Sequence, residues 1–506
     1  MPALSKALIT SAAYQDRADL ETPPPSVFEL PEKVLQFGTG GFLRGFCDFF
    51  IDQAIKAGAY DGRVVMVGST GSGRSASLAK QDGLYTVTVR GIDQGETIDR
   101  DHVIASVSRA LSAKDAWADV LAIARSADLE VIISNTTEVG IQLDTEDRIE
   151  ANPPRSFPGK LTAVLYERAK HFGYRPEAGL IVLPCELIEN NGQVLKGIVQ
   201  ALAEQWSLGD DFLTWLDASV TFCNALVDRI VPGTPRGEAL DALYDRLGYT
   251  DDLLTVAEVY TLWAIEGDAS VRERLGFTDP SVNPGIVVAD DITPYRERKV
   301  RVLNGTHTSF VPATFLSEQF VTVLDVMDDE SASAFVEGVA RDEIVPSLDV
   351  PDGPAYAEEV LDRFRNPFLR HHLIDITLQT TMKLRARVVP TILSYVEKTG
   401  EVPHRIAYGF AAYLRFMRVA RMEDGRYFGA RASGDTYPIR DDHADFYHEL
   451  WDGIDLASDA DLRALAHTAL AHTAFWGVDL NTVGDFGLAV ADAFVAICQH
   501  GTFPTA

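Results

Sequence analysis

Lys299-Val300-Arg301-Val302-Leu303-Asn304-Gly305-Thr306-His307 is the stretch on which the reading of the whole chain turns. Thr293 can cap a helix start just upstream, and Pro294 suits the first helical position. An α-helix turns about 100° per residue, so Lys299, Asn304 and His307 fall within an arc of roughly 140° and share one face. That face carries an ammonium able to give up a proton, an amide donor and an imidazole. Val300, Val302, Leu303 and Phe310 supply an apolar remainder for a core. The same spacing also fits a partly buried helix with scattered polar residues, so the rest of the chain has to decide.

Around that stretch lie 506 residues, enough for two or three domains with full cores. No apolar run approaches the ~20 residues of a membrane span. The first residues lack the basic-then-apolar pattern of a secretion signal, and residues 1–30 read as a loose arm. The expected compartment is the cytoplasm. Four cysteines, Cys47, Cys185, Cys223 and Cys498, stand far apart with no CxxC or His/Cys cluster. Neither a disulfide frame nor a metal site is indicated. The formal charge of −29 argues against nucleic acid or an anionic membrane as partner. Such acidity suits a high-salt setting or an ordinary acidic protein. The expected partner is a small molecule, and the expected state is a monomer or small homo-oligomer. An anionic substrate then needs a local basic pocket against the global field.

Upstream, Val34 to Phe37 reads as a buried strand and runs straight into Gly38-Thr39-Gly40-Gly41. Phe42, Phe46, Phe49 and Phe50 then recur at helical spacing. A strand, a glycine turn and a helix let phosphate oxygens approach backbone N–H groups. Gly38 and Gly40 fit a GxG, while Leu43 stands where the fingerprint has its third glycine. Arg44, in the first turn, is a candidate phosphate ligand. A plain tight turn reads the same way. Arg63 to Val67 is a second strand, ending in Gly68-Ser69-Thr70. No acidic residue marks that end; Ser69 can bond a ribose and Arg74 a 2′-phosphate, so NAD is expected with NADP not excluded. Residues 84–90 and 103–106 read as strands and 110–127 as a helix. Glu130 to Ile133 is a strand whose end, Ser134-Asn135-Thr136-Thr137-Glu138, offers Asn135 and Glu138 to a ligand crevice. Asn191, beyond the strand Leu180 to Pro184, is a further candidate. This alternation predicts an α/β fold: a Rossmann-type doubly wound domain over 31–290. From 291 to 506 the apolar spacing is three and four, which predicts a mainly helical domain. There Lys383, Arg385 and Arg387 cluster on one predicted helix, and Arg363-Phe364-Arg365-Asn366-Pro367 is basic in an acidic chain. Each reads as a solvated face or an anion-binding wall.

Lys299-(four residues)-Asn304-(two)-His307 resembles the signature of the polyol-specific long-chain dehydrogenases, the mannitol dehydrogenase family. Phe37 to Arg44 is similar to the family's cofactor turn, with Thr39, Gly41 and Phe42 in its course. Asn135-Thr136-Thr137-Glu138 and Val227-Asp228-Arg229-Ile230 are similar to further blocks. The blocks run in order from about Glu32 to Gly501. Gln81-Asp82-Gly83-Leu84-Tyr85-Thr86, Pro184-Cys185-Glu186-Leu187-Ile188 and Arg363 to Pro367 are most similar to the keto-uronate reductases of the family. Where mannitol dehydrogenases carry an Asp-Asn pair whose Asn helps form the oxyanion hole, this chain has Glu186-Leu187. The resemblance implies metal-independent hydride transfer between NAD and a keto-uronate, tagaturonate ahead of fructuronate or a polyol. It implies Lys299 as proton donor, Asn304 as carbonyl polariser and His307 as hydroxyl holder, with Asp228 orienting Lys299 or a hydroxyl. The substrate carboxylate needs a cation, and Lys383 or Arg387 is the candidate.

Overall fold

The computed structural model describes residues 1–68, 73–136, 140–350 and 352–503. They form two compact units, one of residues 1–91 and 97–292, the other of residues 92–96 and 293–506.

The first unit is built on a six-stranded sheet. Its strands, numbered along the chain, are β1 (Glu32–Phe37), β2 (Arg63–Gly68), β3 (Val107–Ser112), β4 (Val131–Ser134), β5 (Ile181–Pro184) and β6 (Thr221–Phe222). Their spatial order is 3-2-1-4-5-6 and every neighbouring pair is parallel. This is the Rossmann order. Period-two alternation explains why both faces are buried. Val34, Val64 and Met66 point into one apolar cluster; Leu35, Phe37, Val65 and Val67 point into the other. The second face is covered by the helices Trp117–Ala124, Phe157–His171, Asn191–Gln205 and Asp210–Ser219.

Two expectations fail in this unit. Residues 110–112 belong to β3, not to a helix, and the helix starts only at Trp117. Residues 1–30 are not a loose arm. Leu4, Ile9, Leu20 and Val27 are buried, and Leu20–Glu21 pairs with Glu96–Ile104 as a parallel strand. Small, polar composition hid four apolar anchors spaced too widely to show a period.

The second unit centres on one long rod: an α-helix Thr293–Arg298, a π-helix Lys299–Gly305 and an α-helix Thr306–Leu316. All of Thr306 to Phe315 is buried. The helix His404–Phe416 crosses it so closely that a Cβ on Gly409 would collide with the Ser309 carbonyl. Two more π-helices, Val339–Ile344 and Leu384–Val388, lie in the same unit. The unit is not wholly helical. Val419–Glu423, Arg426–Ala430 and Thr436–Ile439 form an antiparallel meander. The first of these strands is almost fully exposed, so it carries no inward-facing alternation to read.

Replacing the fully buried Leu4 with Ala should lower folding stability by roughly 2–5 kcal/mol, the range for a buried leucine. Urea denaturation measures it, and an unchanged midpoint would restore the loose arm.

Candidate active site

The π-turn sets the geometry of the second unit's polar face. An α-helix was expected through Lys299 to His307, but bonding from residue i to i+5 replaces it over Lys299–Gly305. Residue 304 then lies about one turn beyond residue 299, which puts the two positions nearer one face than α geometry does. Below the π segment the hydroxyls of Thr308 and Ser309 donate back to the carbonyls of Asn304 (2.7 Å) and Gly305 (2.9 Å). They satisfy acceptors at the junction where the bonding pattern changes.

His307 follows one turn later and is buried. Its ring lies 4.2 Å from Phe364, 5.8 Å from Phe310 and 5.4 Å from His371, centroid to centroid. Its Nε2 has no hydrogen-bond partner among the described residues. Burial holds the imidazole well below its usual range, helped by His371, Arg363, Arg387 and Lys383. A neutral ring keeps one donor and one acceptor, which suits a sugar hydroxyl.

The cations that depress His307 form a basic wall beside it. Lys383 precedes Leu384–Val388, and its Nζ donates to the Ile376 carbonyl at 2.8 Å. Burial, then Arg387, pushes Lys383 down to about 8 against the pull of Asp441. Arg387 is also lowered by burial, and its Nη1 donates to Thr308 Oγ1 at 3.4 Å. The same hydroxyl bonds the Asn304 carbonyl, so one relay links Arg387 to the π-turn. Arg385 does not belong to this wall: it is exposed and donates to the Ala474 carbonyl. Arg363 and His371 do belong to it. The basic run around Arg363 was visible in the sequence; nothing there marked His371, which a loop between helices carries to His307.

In the first unit the glycine turn leaves the end of β1, beside β4. Gly38 has a φ of 134°, and a Cβ there would lie 2.7 Å from Leu43 Cδ1 and 3.2 Å from the Asn135 carbonyl. Only glycine fits. At Gly40 a Cβ would meet nothing within 4 Å among the described residues. Thr39 is buried, and the helical turn Gly41–Arg44 follows. Leu43 is core, and Phe42 stacks on Phe46 at 5.0 Å. Gln36 Nε2 donates to the Gly38 carbonyl (3.2 Å) and to Asp48 Oδ2 (3.3 Å). Tyr85 also donates to Asp48, whose carboxyl burial raises to about 7. The turn is thus propped from beneath.

Two sequence candidates have internal roles. Arg44 is buried and donates to the Thr39 carbonyl (2.7 Å) and to Thr255 Oγ1 (3.1 Å). It braces the turn rather than facing a phosphate. Asn191 is buried and saturated: its amide donates to the carbonyls of Pro184, Glu186 and Ala225 and accepts from the N–H groups of Gly192 and Ala225. It holds the strand end, not a substrate. Asn135 Nδ2 donates to the Cys185 carbonyl at 2.7 Å. Glu186 is buried and accepts from Ser134 and Thr136, while Leu187 is 65% exposed. Asp228 is buried at the end of Ala225–Asp228. Its neighbour Arg229 donates to the carbonyls of Glu258 (2.8 Å) and Gly45 (2.7 Å), and burial lowers it to about 9. Ser69 and Glu138 lie outside the described residues. Among the described residues no group of three His, Cys, Asp or Glu is placed to hold a metal.

Comparison with known proteins bears on both units. Residues 32–278 match the mannitol dehydrogenase Rossmann domain, and residues 291–498 match the mannitol dehydrogenase C-terminal domain. Altronate oxidoreductase of Halalkalibacterium halodurans is 42% identical over 478 residues, 94% of this chain and 92% of that protein. Altronate oxidoreductase of Bacillus subtilis is 39% identical over 457 residues, 90% of each. Among solved structures, substrate-free D-sorbitol dehydrogenase superposes with a TM-score of 0.80 at 22% identity, covering 99% of both chains. Mannitol 2-dehydrogenase of Pseudomonas fluorescens, solved with NAD and D-mannitol, gives 0.66 at 24% identity, with 99% of this chain and 98% of that one covered. At those identities the likeness speaks for the fold.

The glycine turn generates a paired test. Gly40→Val should fold normally and lose NADH binding in a fluorescence titration, because its side chain occupies only the space a pyrophosphate needs. Gly38→Ala should itself lose stability. A Gly40→Val protein that binds NADH normally would reduce the motif to a tight turn.

Proposed function

Because the chain belongs to the mannitol dehydrogenase family, we propose that it is an NAD-dependent altronate oxidoreductase. It reduces tagaturonate to altronate with NADH and runs the reverse. The observation that carries this reading is the basic wall beside a buried His307, made by the buried Arg363 and the half-buried Lys383 and Arg387. A neutral polyol has no use for such a wall. A sugar carboxylate does, and Arg387 can grip it through two N–H groups while Lys383 acts as a point charge.

The glycine turn fits a dinucleotide, with Gly38 making the turn and Gly40 leaving room for the pyrophosphate. Bound NADH supplies the hydride to the ketone carbon. Lys299 gives its proton to the oxygen that becomes the alcohol, and takes it back in the reverse direction. Asn304, one π-turn beyond Lys299, donates to that oxygen as negative charge develops. His307 holds a neighbouring hydroxyl through its unpartnered Nε2. Asp228 is assigned to orient a hydroxyl or the lysine. The four free cysteines support a cytoplasmic setting; Cys47 and Cys185 stand 3.7 Å apart, sulfur to sulfur, without a bond.

The deciding assay is oxidation of NADH, and of NADPH in parallel, against tagaturonate, fructuronate and fructose. A preference for fructose would replace the uronate reading with a polyol dehydrogenase. Lys299→Ala should lower kcat by at least about 10²-fold with NADH affinity retained; near-normal turnover would remove Lys299 from the chemistry. Lys383 is charged below about pH 8 and neutral above it. The KM for tagaturonate should therefore rise above that pH, and the KM for fructose should not. Lys383→Arg should abolish the inflection, because arginine stays charged throughout.

A further inference from the structure

One guanidinium connects the three π-helices of the second unit. Arg301 lies inside Lys299–Gly305, two residues beyond Lys299, and is buried. Its Nε donates to Thr391 Oγ1 at 3.0 Å, and its Nη2 donates to Ser347 Oγ at 2.8 Å. Both hydroxyls pass the contact on. Thr391 Oγ1 donates to the Arg387 carbonyl (3.3 Å), inside Leu384–Val388. Ser347 Oγ donates to the Ile344 carbonyl (2.6 Å), the last residue of Val339–Ile344. Gly305 closes the arrangement from the other end of its own segment. A Cβ there would lie 3.4 Å from the Arg387 carbonyl and 3.7 Å from Ile344 Cδ1. The facing carboxylate, Glu297, stands 4.0 Å from Nη1, too far for a hydrogen bond.

The geometry points to Arg301 as a positioning residue that, through Thr391 and Ser347, sets where Arg387 stands relative to Lys299 and Asn304. The inference rests on the proposed roles of those three residues. Burying a guanidinium costs more than burying an apolar side chain of similar length, so filling space is not a sufficient reason for an arginine. A planar fork reaches two hydroxyls at fixed angles, which a lysine cannot do. The charge strengthens both bonds, and each hydroxyl ends on a carbonyl of a different π segment. A shift in any one segment therefore breaks a bond in the network that Arg301 centres.

Thr391→Val keeps the volume and removes the relay to Arg387. It should raise the KM for tagaturonate roughly threefold to tenfold, with NADH affinity unchanged. In an Arg387→Gln background the same substitution should add less than about twofold, because the residue it acts through is gone. Full additivity would reduce Thr391 and Arg301 to ordinary packing and overturn the inference. A second measurement needs no substrate. Hydrogen exchange in Thr391→Val and in Arg301→Lys should quicken together across residues 299–305, 339–344 and 384–388. Quickening confined to the neighbourhood of the substituted residue would also overturn it. If the wild-type protein reduces no keto-uronate yet exchange spreads through all three segments, the substrate assignment falls and the clamp stands.

Discussion

Three cations packed around one neutral imidazole are the constraint on which the second unit depends. Like charges held close in a protein interior repel more strongly than in water. Burial is the first cause that holds Lys383 and His307 below their usual ranges, and the neighbouring cations add to it. On the proposed reading such a site favours an anion over a neutral sugar, because a carboxylate offsets the cost of holding cations together.

The same reasoning reconciles a sugar acid with a chain of net charge −29. Screening at physiological salt has a length of about 8 Å, so the acidic surface acts weakly on a ligand already in contact with the wall. The surface slows the approach of an anion; the wall holds it. Removing charge from the wall and removing charge from the surface are separable experiments for that reason.

Backbone devices hold each half in shape. In the first unit Gly38 makes a turn that no other residue can, and Gln36, Asp48 and Tyr85 support it from beneath. In the second, a π-turn brings positions 299 and 304 toward one face, and the hydroxyls of Thr308 and Ser309 satisfy the carbonyls at its end. Both devices are local irregularities built into otherwise regular elements, next to the residues assigned to chemistry.

The sequence by itself determined the strand–glycine turn–helix opening of the first unit, the parallel α/β order of its sheet and the helical character of the second. Apolar periodicity carries that information, because burial on both faces of a strand or one face of a helix leaves a repeat. The family resemblance singled out Lys299, Asn304 and His307, which lie along one rod from Thr293 to Leu316. Tertiary structure alone decided the rest. Arg44 and Asn191 looked available because nothing local shows that distant carbonyls, of Leu253 and of Ala225, consume their donors. Arg385 and Arg387 are two residues apart, yet the π-turn and its packing send one to the surface and the other to Thr308. Leu4 and Ile9 found a core that their own segment does not contain. His371 reaches His307 only through the path of the chain between two helices. Each of these depends on a partner far away in the chain, and a one-dimensional pattern records neighbours in sequence, not neighbours in space.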